Sequence, residues 1–192
     1  MNAYLDIIGS ILIAGTMMLS VFRLDAQMAD RGLAASLALI AQSNGSTLAR
    51  TLETDIRRLG FEVPEGQPKI TETGPARLTF AGNVDLVGGA ETVTYVLGGP
   101  NGDSRNPADS LLYRVVNGTD SLVVERGVTR FRLTYFDAVG APTAVLAEAR
   151  EIAVDFRVEL PEAYRTWDEA TGHFVESYPG SDFALRVRPK NL

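Results

Sequence analysis

Cysteine is absent from all 192 residues. Disulfides, zinc–thiolate sites and thiol catalysis are thereby excluded, and any folded part must be held by its core alone. Histidine occurs once, as His173, inside the polar stretch Glu169-Ala170-Thr171-Gly172-His173-Phe174. A multi-histidine metal site therefore cannot be built. His173 reads as an exposed loop residue, and nothing points to a histidine-based triad. Basic runs are missing too. Lys and Arg number 18 against 24 Asp and Glu, and the net charge of −6 argues against nucleic acid, whose phosphates need clustered cations. Charge of either sign is scarce at the N-terminus, where Asp6 is the one charged side chain in residues 1–22.

What replaces charge there is a long apolar run. From Tyr4 to Phe22 the chain reads YLDIIGSILIAGTMMLSVF, close to the roughly 20 residues a helix needs to cross a bilayer. The flanks differ from those of a cleaved secretory signal: no basic start precedes the run, and Arg23-Leu24-Asp25 stands where a small-residue cleavage site belongs. Gly9, Ser10, Gly15 and Ser20 suit a membrane helix, because small side chains let neighbouring helices approach. The two glycines are not at GxxxG spacing, so no dimer motif is assigned.

Asp6 is out of place in such a segment, since a carboxylate deep in hydrocarbon costs on the order of 3 kcal/mol unless it finds a partner. Two readings stay open. Asp6 is solvated at the membrane surface, or it pairs with a positive group on a neighbouring subunit, an N-terminal amine being the obvious candidate. Arg23 and Arg31 follow the run and no Lys or Arg precedes it, which taken alone puts the C-terminal bulk in the cytoplasm. A short basic leader ahead of this sequence would restore the opposite bias.

Beyond Arg23 the apolar residues Met28, Leu33, Leu37, Ile40, Leu48, Leu52, Ile56 and Leu59 continue at helical spacing. Asp30, Arg31, Gln42, Arg50, Glu53 and Arg57 fall between them, as in an amphipathic helix growing out of the apolar one. Ser43-Asn44-Gly45-Ser46 predicts a kink, or a restart capped by Ser46 or Thr47. Gly60 predicts the stop, with Phe61 folding back and Pro64 preventing continuation.

After Pro64 the period changes to two. Strands are expected at 69–73, 76–81, 92–97, 110–116, 121–126, 130–136, 152–160 and 183–187, rich in Val, Thr, Tyr and Phe. Asn117-Gly118 signals a hairpin, with Thr119-Asp120 available to lengthen its loop. Phe131, Leu133 and Tyr135 alternate with Arg130, Arg132 and Thr134, and Ile152, Val154 and Phe156 supply a matching buried face. The expected fold class is α+β: a long N-terminal helix, apolar in its first half, packed against an antiparallel β-sheet head. Its parts are residues 1–24 as transmembrane or assembly helix, 25–61 as amphipathic continuation, and 62–192 as β-rich head.

No constellation carries catalysis. The loop of residues 98–109 offers oxygen ligands for calcium, but it lacks EF-hand spacing and has Arg105 in its middle, so a flexible connection is the better reading. Gly88-Gly89 and Gly98-Gly99 look like turns flanking a strand rather than a phosphate cradle. Tyr164, Trp167, Phe174 and Tyr178 form a binding surface, or they cap a sheet or pack under a loop.

Four segments share one likeness. Leu5-Asp6-Ile7-Ile8 opens the apolar helix, and Leu52-Glu53-Thr54-Asp55-Ile56-Arg57-Arg58-Leu59-Gly60-Phe61 ends its continuation. Leu112-Tyr113-Arg114-Val115-Val116-Asn117-Gly118 leads into Leu122–Asp137, and Leu185-Arg186-Val187-Arg188-Pro189-Lys190-Asn191-Leu192 closes the sequence. In this order they resemble the minor pilins of type IV pili and the minor pseudopilins of type II secretion, particularly the W-type and J-type members. The likeness lies in the acidic residue near the start, the helix-ending "L–DLR–AGY" pattern, the arginine-bearing hairpin before a "GV–F–YxD" strand, and the terminal "RN". Asp6 stands where that family usually has Glu.

The resemblance implies a structural subunit, not an enzyme, with no cofactor, small-molecule substrate or nucleic acid. It implies a single pass through the inner membrane by residues 4–22, with the head in the periplasm or in an extracellular filament. It implies Asp6 as an assembly contact, head-to-head contacts with other pilin-like subunits, and export by an assembly ATPase outside this chain. The alternative is a single-span accessory subunit of a larger membrane complex.

Overall fold

The computed structural model describes residues 2–168 and 170–192. The start of the chain at Met1, and Glu169 of the histidine-bearing stretch, lie outside them. One helix, α1 (Asn2–Arg57), precedes nine strands. The chain divides into two units, the helix up to Leu37 and a head from Ala38 to Leu192.

In the first unit α1 is apolar all round from Ile7 to Phe22, with charge returning at Arg23. Ile7, Ile8, Ile11, Leu12, Ile13, Met17, Met18, Leu19, Val21 and Phe22 are all exposed. Met28 and Leu33, grouped by periodicity with the helix face that packs on the sheet, are exposed as well. Spacing marks a stripe but not what covers it.

In the second unit α1 buries one face, beginning at Ala41 and continuing through Leu48, Leu52 and Ile56, with Leu59 buried just beyond its end. Each leucine or isoleucine side chain removed from water contributes about 2 kcal/mol. The segment 43–46 does not break the helix. Gly45 is helical, and only glycine fits there, because a β-carbon would overlap the ring of Phe183. The glycine therefore answers a tertiary contact, and its helix-breaking tendency of about 1 kcal/mol is overridden by packing. After Arg57, Gly60 stops the helix as expected, with φ +78. Its N–H leaves the helix ladder for the Ala81 carbonyl at 2.8 Å, and Asn83 N–H donates to the Phe61 carbonyl at 3.0 Å.

The strands are β1 (Ile70–Gly74), β2 (Arg77–Gly82), β3 (Glu91–Pro100), β4 (Ser110–Val116), β5 (Asp120–Phe136), β6 (Glu151–Glu159), β7 (Tyr164–Asp168), β8 (His173–Ser177) and β9 (Gly180–Val187). Seven make one antiparallel sheet in the order β1-β2-β3-β4-β5-β6-β9, and β7 and β8 form a ribbon of their own. The sheet is curled, so that the chain leaving β9 meets the chain entering β1, where Lys69 Nζ donates to the Asn191 carbonyl. The class is α+β, with α1 on the antiparallel sheet.

Alternation along the strands behaves as the sequence predicts. Phe131, Leu133 and Tyr135 stand opposite Phe156, Val154 and Ile152 in register, and all six are buried. Asn117 and Gly118 adopt φ +52 and +73, and Thr119 completes the loop, since Val116 pairs with Asp120.

Four features differ from expectation. Residues 121–126 and 130–136 belong to one strand, β5, whose first part pairs with β4 and whose last part pairs with β6. It bends at Gly127, at φ +81. Gly98-Gly99 is no turn but the far end of β3, with the Tyr113 ring against Gly98. The segment containing His173 is strand rather than loop. The connection 101–109 is tied down rather than flexible, as its hydrogen bonds show below.

Candidate functional site

Two places concentrate chemistry that the rest of the molecule lacks. The first is the apolar length of α1, which is long and apolar enough to cross a membrane. A helix apolar on every side has no face for water and needs hydrocarbon or other helices around it. Its polar side chains serve themselves. Ser10 Oγ donates to the Ile7 carbonyl at 2.8 Å, Thr16 Oγ1 to Ile13 at 2.9 Å and Ser20 Oγ to Thr16 at 2.9 Å. Such local bonds pair these three hydroxyl donors within the helix, as an apolar medium requires. Asp6 is exposed on this stretch, so its carboxylate has no shelter within the described chain.

The second is a buried polar triad inside the head. Asp55 lies on the helix face that carries Leu48, Leu52 and Ile56, which places a carboxylate against the sheet. Arg114 Nε donates to Asp55 Oδ2 at 2.7 Å, and Tyr95 Oη donates to the same oxygen at 2.7 Å. Tyr95 and Arg114 are neighbours in register on β3 and β4, so two adjacent strands grip one helical side chain. The side chains of Arg114 and Asp55 are 20% and 9% exposed. Burial, then the charge of Asp55, hold the Tyr95 hydroxyl well above its usual pKa, so it stays a donor. Burial opposes the charge on Arg114, but the hydrogen bond and charge of Asp55 outweigh it and raise that pKa. The triad is therefore a fixed, charge-balanced latch between α1 and the sheet.

Asp55 and Arg114 stand in segments that carry the family likeness, but sequence reasoning did not join them to each other or to Tyr95. A signal was present: Asp55 follows Leu48 by seven positions and Leu52 by three, inside the apolar stripe, where a carboxylate demands a partner. The partner is not legible, because Tyr95 and Arg114 lie 40 and 59 residues away.

The oxygen-rich loop spends much of its ligand set on hydrogen bonds within itself and to β5 and β6. Asp109 Oδ1 accepts from Gly127 N–H at 2.7 Å, and Asp109 Oδ2 accepts from Asn101 Nδ2 at 3.2 Å. Asn101 Oδ1 takes the Asp103 N–H, and Asn106 bonds both the Ala108 N–H and Glu159. Among the described residues no three His, Asp or Glu converge in a metal-holding group. His173 is exposed and stands opposite Asp168 in the β7–β8 ribbon. Of the four aromatics, Trp167 and Phe174 pair edge to face at 5.1 Å and are 53% and 66% exposed. Tyr178 Oη donates to the Arg105 carbonyl at 2.9 Å. The cluster does not cap the main sheet as one body.

No protein-family model and no curated protein matches the chain.

Proposed function

We propose that this chain is a structural subunit of the minor-pilin or minor-pseudopilin kind in a type IV pilus or a type II secretion-type filament. One observation carries the reading: an apolar helix whose one charged side chain in its first 22 residues is Asp6 continues, without a break, into the helix that packs on an antiparallel sheet. A chain built this way holds its helix in the inner membrane before assembly and among like helices afterwards, with the head in the periplasm or outside the cell. Burying that much apolar surface supplies most of the driving force. A carboxylate near its start supplies register through a charge-assisted contact with a neighbour.

Asp6 provides the test. Asp6→Asn is expected to insert into membranes as the parent does, because a neutral amide is easier to bury than a carboxylate. Filament yield should fall, and Asp6→Glu should retain much of it. The absence of cysteine allows a second readout: single cysteines placed at Ile11 or Met18 should cross-link between like chains. Normal assembly of Asp6→Asn would remove the pairing role. Cross-links only to multi-span proteins would favour an accessory subunit of a membrane complex, for which Asp in place of the family's Glu is the supporting feature.

A further inference from the structure

We propose that the cleft beside the β4–β5 hairpin is a docking site for a protein segment that presents a lysine or arginine between apolar side chains. The cleft has a volume of about 600 Å³ and is lined by Asp85, Glu91, Arg114, Val116, Ser121 and Leu122 among others. Its charge balance sets the partner's sign. Arg114 is already neutralised by Asp55, and the guanidinium of Arg58, which reaches the same loop, is directed at the Val84 carbonyl. Asp85 accepts one backbone bond, from Val87 N–H at 2.7 Å. The cleft thus offers the carboxylates of Asp85 and Glu91 to a cation from outside.

Its rim is apolar. Leu122 is 61% exposed, and the loop that carries Asp85 displays Leu86 and Val87 at 58% and 71%. Leu86 holds φ +66, a left-handed conformation that a leucine side chain disfavours. Exposed leucine and valine around acidic groups match the anatomy of a protein interface, apolar contacts with a charge fixing register. A membrane surface is the poorer occupant, because anionic headgroups are repelled by Asp85 and Glu91. The inference uses the head surface alone and goes beyond the filament reading.

The experiment places a photo-cross-linking amino acid at Leu122 of the full chain in its own membranes, with Val139, an exposed residue away from this cleft, as control. Cross-linked peptides are then sequenced. The expected result is a higher yield at Leu122 than at Val139, to a protein segment in which Lys or Arg neighbours apolar residues. Asp85→Lys with Glu91→Lys should cut that yield about tenfold, the equivalent of 1.4 kcal/mol. Should the reversal disturb folding, Asp85→Asn with Glu91→Gln keeps the shape and should still lower it. Equal yields at the two positions, cross-links to lipid, segments lacking a cation, or indifference to both charge variants would overturn the proposal. The filament reading stands or falls separately, on the Ile11 and Met18 cross-links of the apolar helix.

Discussion

Removing the guanidinium of Arg114 leaves the Asp55 carboxylate buried against the sheet with only the Tyr95 hydroxyl for company. An uncompensated buried charge costs about 3 kcal/mol or more, whereas the intact pair adds little net stability. Arg114→Met is therefore expected to destabilise the head by about 3 kcal/mol. Tyr95→Phe, which keeps the ion pair and loses one hydrogen bond, should cost about 1 kcal/mol. Denaturant unfolding of the two variants checks the order, and equal losses would show that the latch is not organised around Asp55. Glu125 provides a pH test. Burial raises its pKa above the usual 4.5, with the charge of Asp109 adding and the Arg126 N–H opposing. A raised carboxyl pKa means the folded state holds its proton longer than the unfolded chain, so stability is lost as pH rises from 4.5 through the folded value. Glu125→Gln should match the parent below that window and be more stable above it, as thermal midpoints from pH 4 to pH 8 will show.

Among the elements, α1 is the one whose continuity depends on a distant strand. Gly45 leaves room for the Phe183 ring, which stacks on Phe156 at 5.0 Å with planes 10° apart. Alanine is the better helix former, so propensity alone favours Gly45→Ala by about 1 kcal/mol. Overpacking against the ring stacked on Phe156 costs about 2 kcal/mol and wins. The variant is expected to melt lower than the parent, and Phe183→Leu in the same chain should recover part of the loss. A rise in melting temperature from Gly45→Ala alone would mean that the ring moves freely.

At the scale of the whole molecule, the burial pattern dictates where the chain can be cut. The head's buried helix face begins at Ala41, and the head as a unit begins at Ala38. Residues 38–192 are expected to give a soluble, folded monomer by circular dichroism and size exclusion. Residues 25–192 carry Met28 and Leu33 as additional exposed apolar groups, and this longer piece should self-associate more strongly. Aggregation of 38–192 would show that the helix N-terminal to Ala38 contributes to the head's fold.

Sequence periodicity by itself determined the apolar helix, its stop at Gly60, the change to period two after Pro64 and the facing strands around Phe131 and Phe156. Each of those is set by neighbours a few residues apart, through helical or alternating spacing. Only tertiary structure decided that α1 runs unbroken through Gly45, that residues 120–136 make one bent strand serving two partners, and that His173 lies in a ribbon. Only tertiary structure joined Asp55 to Tyr95 and Arg114. For Gly45, β5 and Asp55 the deciding partner is remote in the chain: a ring on β9 for Gly45, two different strands for β5, and a tyrosine and an arginine on adjacent strands for one helical carboxylate. Local pattern can show that a residue needs such a partner, but chain folding alone selects which one it receives.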